Sequence, residues 1–318
     1  MDLWKKRRPA GGENVTFSIR YRGENTAQEW AEFATARIVP REIHTTPTLP
    51  LQSIAVPVAL SAKRMKRIAG KADGAQELID YTGEKAEAGK DCMTDHLARS
   101  VWSDGTDETN DYGDRLCNLT GLKAVLARGS SYASISPTDA PEWNPAQIDF
   151  ATAASGAWAG YTISGSNSLS DIIDTSDPLY LGNVMDSMIA QTEFDGESTN
   201  LIMADIKGYE LILKMLHPTQ RQNSDIGYGS FKGVFWQGIP VVRERNATFL
   251  GTGATKANIV GLNTKLFEIA CVPGAEIAFE NFEKVKGTDA VLGMYLFDGQ
   301  MICRSRRNQW SIINAPTA

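Results

Sequence analysis

Residues 75–102, AQELIDYTGEKAEAGKDCMTDHLARSVW, carry the pattern that decides the fold. Leu78, Ile79, Thr82, Ala86, Gly89, Met93, His96, Leu97 and Val101 recur at spacings of three and four. Glu77, Asp80, Glu84, Glu87, Lys90, Asp91 and Asp95 fall mostly on the opposite side. The spacing predicts one amphipathic helix of ~40 Å, far longer than the ~11–12 residues of an average globular helix. Turn chemistry at Ser103–Thr106 (SDGT) ends it. Gly83 and Gly89 each weaken such a helix by up to ~1 kcal/mol relative to alanine, and one rationale for them is close approach of another backbone.

Upstream, NVTFSIRY (Asn14–Tyr21) alternates, with Val15, Phe17, Ile19 and Tyr21 on one face. That is the period of a half-buried strand. SIAVPVAL (Ser53–Leu60) reads as a second strand, and Pro57 places it at an edge or a bulge. The polar, Thr- and Pro-bearing stretch between them predicts an extended two-stranded arm. An isolated hairpin is marginal in water, so the arm must lean on something else.

Downstream, Asp107–Asp114 is an acidic loop without calcium-loop spacing, and Thr120–Ala127 is a short apolar segment. Helices are predicted over Leu179–Thr192 and Ala204–Leu216, with a buried strand, Asn200–Ala204, between them. Strands follow at Phe231–Gln237, Ile239–Arg243, Ile259–Asn263, Leu266–Val272, Glu276–Phe282 and Val291–Cys303. The order predicts an α+β fold without repeating βαβ units.

The chain of 318 residues carries a formal charge of −6, which disfavours sequence-independent coating of nucleic acid by the whole molecule. Basic residues nevertheless cluster at Lys5, Lys6, Arg7 and Arg8, and again at Arg304, Arg306 and Arg307. Each cluster reads as solvated or interface charge, or as a contact for nucleic acid or another polyanion. The four cysteines (Cys92, Cys117, Cys271, Cys303) have no metal-ligand spacing, and His44, His96 and His217 have no partner set. No cofactor and no metal is implied. No G-x-S-x-G and no phosphate-binding loop occurs, and the carboxylates are scattered, so no residue reads as catalytic. The longest apolar run, Ile54–Leu60, is far short of the ~20 residues that span a bilayer; no membrane partner is expected.

Local sequences add a family resemblance. LARSVWSDGT (Leu97–Thr106) with NLTGLKAVLA (Asn118–Ala127), SYASISPTDAPEW (Ser131–Trp143), and TNLIMADIKGYELILKML (Thr199–Leu216) look like segments of one subfamily of tailed-bacteriophage major capsid proteins with the Hong Kong 97 fold. GVFWQGIPVVRERNA (Gly233–Ala247) followed by VGLNTKLFEI (Val260–Ile269) is the most characteristic part. The resemblance runs from about Asn14 to the end, and its weight lies in the ordered set of segments.

The resemblance implies a map. Residues 1–13 would be a short N-terminal arm; relatives often have a longer one, so either the arm is short or a precursor segment is removed or lies outside the sequence. Residues 14–21 and 55–121 would form the peripheral domain, with the spine helix at 75–102. Residues 22–54 would be the extended loop lying over a neighbouring subunit, with Trp30, Phe33, Ile38 and His44 as subunit-interface residues. Residues 122–258 and 301–318 would form the axial domain, and residues 259–300 the return strands of the peripheral domain. The implied partners are copies of the chain in pentamers and hexamers, portal and scaffold or accessory capsid proteins, and packaged double-stranded DNA. The implied location is the virion capsid, assembled in the host cytoplasm. Some capsids of this fold cross-link a loop lysine to a neighbour's asparagine; no lysine lies between Arg22 and Ser61, so no such link is expected. An encapsulin-like compartment, and a soluble enzyme with a carboxylate-based site, remain alternative readings.

Overall fold

The computed structural model describes residues 5–7, 12–20, 44–71, 74–106, 108–109, 115–116, 118–138, 140, 143–149, 180–216, 234–250 and 256–315. Strand pairing sorts them into two main sheets. The first is built around one long strand, β16 (Ala290–Cys303). Its opening ten residues pair antiparallel with β6 (Gln52–Ser61), from Ala290↔Ser61 to Gly299↔Gln52. β15 (Ala278–Lys284) also pairs with β16, and its far end, Gly299–Cys303, pairs with β14 (Phe267–Cys271). Pro57 lies opposite Met294 on β6, a strand that among the described residues pairs with β16 alone. The missing N–H therefore faces away from the ladder, as the edge position requires.

A shorter strand, β1 (Lys5–Arg7), adds in parallel to β14 with Lys5 opposite Glu268. Residues 1–13 thus hold a sheet strand in addition to the simple lead that the sequence suggests.

Helix α1 (Ala62–Ala69) follows β6, with the Ser61 hydroxyl accepting from the Arg64 N–H. Helix α2 (Gly74–Ser100) then crosses the sheet. Met93 and Leu97 are fully buried against Ile54, Leu119, Ile269, Cys271 and Phe297. Gly89 lets this happen: a Cβ there would overlap Val58 Cγ2 and lie 3.2 Å from the Tyr295 ring. The close approach is therefore to side chains of β6 and β16 rather than to a backbone. At Gly83 a Cβ would meet nothing within 4 Å among the described residues, so none of them gives it a packing reason.

The C-terminal end of α2 is welded to the segment after it. Leu119 N–H donates to Ser100 Oγ at 2.6 Å, and Leu122 N–H to Val101 O at 2.7 Å. Between these contacts, β7 (Glu108–Thr109) and β8 (Arg115–Leu116) form a two-residue antiparallel pair in the acidic loop. Helix α3 (Leu122–Leu126) accounts for the short apolar segment.

The second sheet has six strands in the order β11 (Val234–Trp236), β12 (Ile239–Arg243), β10 (Leu201–Ala204), β13 (Ala257–Leu262), β17 (Trp310–Ala315) and β9 (Ala146–Asp149). β13 and β17 are buried at every position, and the sheet carries α4 (Tyr180–Thr192) and α5 (Ile206–Met215). Asp205 caps α5 by accepting from Gly208 N–H. Trp310 lies across Gly261, where a Cβ would overlap its indole; its Nε1–H donates to Thr199 Oγ1 at 2.9 Å.

Two sheet assignments differ from the sequence map. β13 belongs to the six-stranded sheet, so the chain crosses to the other sheet after Leu262 rather than at residue 259. β16 stays in the first sheet through Cys303, so the return crossing follows residue 303 rather than 300. The C-terminal segment, which the resemblance assigns to the axial domain without naming an element there, is a buried inner strand of the six-stranded sheet.

Candidate assembly surface

The arm begins as two short antiparallel pairs. β2 (Asn14–Thr16) pairs with β5 (Thr48–Pro50), and β3 (Ile19–Arg20) pairs with β4 (His44–Thr45). Val15, Phe17, Ile19 and Leu49 are buried in one cluster with Trp102, Leu122, Val125, Tyr132, Trp143, Phe267 and Met301. The base of the arm therefore leans on the core of its own chain, at the junction of the two sheets. Thr48 N–H also donates to Ala133 O. His44 is exposed opposite Arg20. Trp30, Phe33 and Ile38 lie outside the described residues.

The junction is built from buried polar side chains, each tying several segments together, because a polar group taken from water is tolerated only when its hydrogen bonds are met. Gln300, fully buried, accepts from Thr120 N–H at 3.0 Å and donates to Pro50 O at 2.9 Å. Asn308 Nδ2 donates to the Thr192, Phe194 and Glu197 carbonyls at 3.0–3.2 Å. Gln309 accepts from Asn263 N–H at 2.8 Å, which binds the two sheet crossings side by side. Arg304 N–H donates to Leu266 O across the same gap.

Arg306 is the largest of these ties. It is 1% exposed, and its guanidinium donates to the carbonyls of Val125 (2.7 Å), Ser130 (3.1 Å), Ala124 (3.2 Å) and Ala127 (2.5 Å). The ring centres of Tyr132 and Trp143 lie 5.5 and 5.6 Å from its Cζ. Burial pulls the guanidinium down to about 10, so it keeps its charge at neutral pH. The charge is met by carbonyl dipoles at the end of α3 and by two ring quadrupoles. Burial also pushes the neighbouring Cys303 thiol up to about 12 and raises Tyr132. Both stay protonated, and the Tyr132 hydroxyl accepts from Cys303 N–H at 3.1 Å.

Arg306 thus serves its own subunit, which corrects its reading as a contact for DNA or a neighbour: its donors are consumed inside. Arg304 holds Glu268 in a two-point ion pair, Nε–Oε1 2.9 Å and Nη2–Oε2 3.1 Å. Arg307 stacks over Phe194 at 3.9 Å. Of the N-terminal run, Lys5, Lys6 and Arg7 form β1, and Arg8 lies outside the described residues.

Other surfaces are uncovered. Ile79, on the predicted apolar stripe of α2, is 63% exposed, so the first half of the helix lacks the cover that Met93 and Leu97 have. Ile206 and Val242 are also exposed, at the start of α5 and on β12. A further feature escapes a reading by motif. Lys63, Arg64, Lys66, Arg67 and Lys71 place five basic residues in nine positions around α1, all exposed and with no acid among those nine. A running count of charge along 61–74 is the signal that finds it.

Among the described residues no group of three or more His, Cys, Asp or Glu is placed to hold a metal ion. Among them, too, no helix is long and apolar enough to cross a membrane.

A long helix crosses a sheet built on one extended strand, paired crossings join that sheet to a second one, and an arm leaves from the junction. No family model matches the sequence, and no curated protein matches it. A chain of the cyanophage A-1(L) capsid asymmetric unit is similar with a TM-score of 0.58 at 12% identity, over 98% of this chain and 91% of that one. A capsid chain of a native GTA particle gives 0.51 at 14% identity, over 99% and 89%. The holo-SrpI encapsulin complex of Synechococcus elongatus PCC 7942 gives 0.50 at 9% identity, over 99% and 86%. The chain has the α+β, Hong Kong 97-type fold of tailed-phage capsid proteins.

Proposed function

We propose that this chain is a major capsid protein, which self-assembles through pentamers and hexamers into an icosahedral shell around a double-stranded DNA phage genome, with a structural rather than catalytic role. The observation that carries the reading is the fold likeness to capsid subunits over nearly the entire chain. The arm root, anchored in its own core while residues 22–43 extend beyond it in sequence, supports a neighbour-clasping loop in which Trp30, Phe33, Ile38 and His44 contact the next subunit. The sheet around β16, with α2 as its spine, is the peripheral domain of this reading, and the six-stranded sheet is the axial domain. Repeated modest contacts between copies suit symmetric closure, and the uncovered Ile79, Ile206 and Val242 supply apolar contact points for them. Portal, scaffold or accessory proteins complete the assembly, which takes place in the host cytoplasm.

The encapsulin likeness favours one second reading, a protein compartment enclosing enzymes. Purifying closed particles and extracting their contents separates the two: nuclease-sensitive duplex DNA supports the capsid, and a single co-purifying cargo protein supports the compartment.

A further inference from the structure

We propose that α1 is a docking surface for the phosphate backbone of duplex DNA. This inference rests on the capsid reading for its physiological partner, but not for its chemistry. Lys63, Arg64, Lys66 and Arg67 make half of the eight-residue helix basic, and Lys71 follows one turn on. The arrangement works against the helix itself. Its first turn holds no acid, and Lys63 there meets the positive end of the helix dipole. Lys63 also faces Lys66 and Arg67 at spacings of three and four, where like charges repel.

Compensation among the described residues is small. Asp289, from the β15–β16 turn, accepts from the Lys63 backbone N–H at 2.8 Å. Glu77 takes Lys71 at 2.8 Å. Among the described residues, no carboxylate pairs with the side chains of Lys63, Lys66 or Arg67. Arg64 is held over the Tyr81 ring of α2, 4.5 Å from its centroid, which fixes α1 against the spine helix. The helix buries only Ile68, and four of its five exposed residues are cations.

A polyanion resolves this repulsion, and the residue types decide which one. Protein–protein interface cores are depleted in lysine and enriched in aromatic and apolar groups. The face here is lysine and arginine without an exposed aromatic side chain, the composition that neutralises phosphates. The terminal run Arg304–Arg307 does not compete for this role, since its three guanidiniums are engaged by Glu268, backbone carbonyls and Phe194.

The test is binding of a fluorescent 30-base-pair duplex, followed by anisotropy, to the full chain kept unassembled at low concentration, over a salt series. The triple variant Lys63→Gln, Lys66→Gln, Arg67→Gln is compared with Lys63→Arg, Lys66→Arg, which keeps the charge. Losing three phosphate contacts lowers the slope of log affinity against log salt by about 3 and weakens binding about tenfold or more, while the arginine variant binds as wild type. An unchanged slope and affinity in the triple variant overturns the proposal. Loss of particle assembly with DNA binding intact also overturns it, and assigns α1 to contacts between copies. Failure of the capsid reading shows elsewhere, as absence of shells by microscopy.

Discussion

Arg306 Nε–H donates to the carbonyl of Val125 at 2.7 Å across 181 residues of sequence. That bond, with its three companions, holds the last crossing between the sheets against α3 and the loop after it. Four carbonyls and two aromatic faces converge on one buried cation. These contacts cross-link the junction at the base of the arm.

Replacing Arg306 by methionine keeps much of the volume but strips the carbonyls of their donors. Hydrogen bonds from charged groups contribute about 1.5–3 kcal/mol each, so a net loss on the order of 3 kcal/mol or more is expected. Arg306→Lys recovers only part, since an ammonium cannot span the planar fork. Urea midpoints of the unassembled chain check both. A shift within error for methionine would show the hub to be dispensable.

Gly89 and Gly83 sit on the same helix and should respond with opposite signs. Gly89→Ala drives a methyl into Val58 Cγ2, and β-branched Val58 has no easy rotamer to escape; a loss of about 1–3 kcal/mol is expected. Gly83→Ala meets nothing among the described residues and should gain about 0.5–1 kcal/mol from helix propensity. Thermal unfolding of the two variants side by side reads the difference.

Asp104 gives a pH signature. Partial burial alone would raise its pKa, but hydrogen bonds from Thr106 and Lys123 outweigh that and hold it at about 2. A depressed carboxyl contributes stability above its unfolded value and loses it as pH falls through the folded one, here between about pH 4 and 2. With the side chain 34% exposed, solvent screening reduces the contribution to on the order of 1 kcal/mol. Asp104→Asn should lose that amount at neutral pH and flatten the decline from pH 4 to 2. Equal pH profiles for the two proteins would contradict the assignment.

Particles should run as a single monomer band on denaturing gels, because no lysine is present between Arg22 and Ser61 to form an isopeptide bond with a neighbour. A ladder of multimers would contradict this.

Local periodicity makes much of the architecture legible. The alternation at Val15, Phe17 and Ile19, the long strand at β16 and the beam of α2 all depend on neighbours in sequence, and they fold as the spacing predicts. What stays hidden is long-range. Trp310–Ala315 is buried at every position between β13 and β9, so it lacks the polar alternation by which a half-buried strand is read from sequence. Arg306 resembles surface charge because its carbonyl partners lie about 180 residues upstream, and no local pattern reports them. The crossing points slip by a few residues for the same reason: β13 is apolar whichever sheet it joins.

The central claim is that copies of this chain close into a shell. Electron microscopy of the purified chain, with its sedimentation, tests it most directly. Closed icosahedral particles or capsomer rings of five and six are expected. A compact monomer or dimer at every concentration and salt would contradict it.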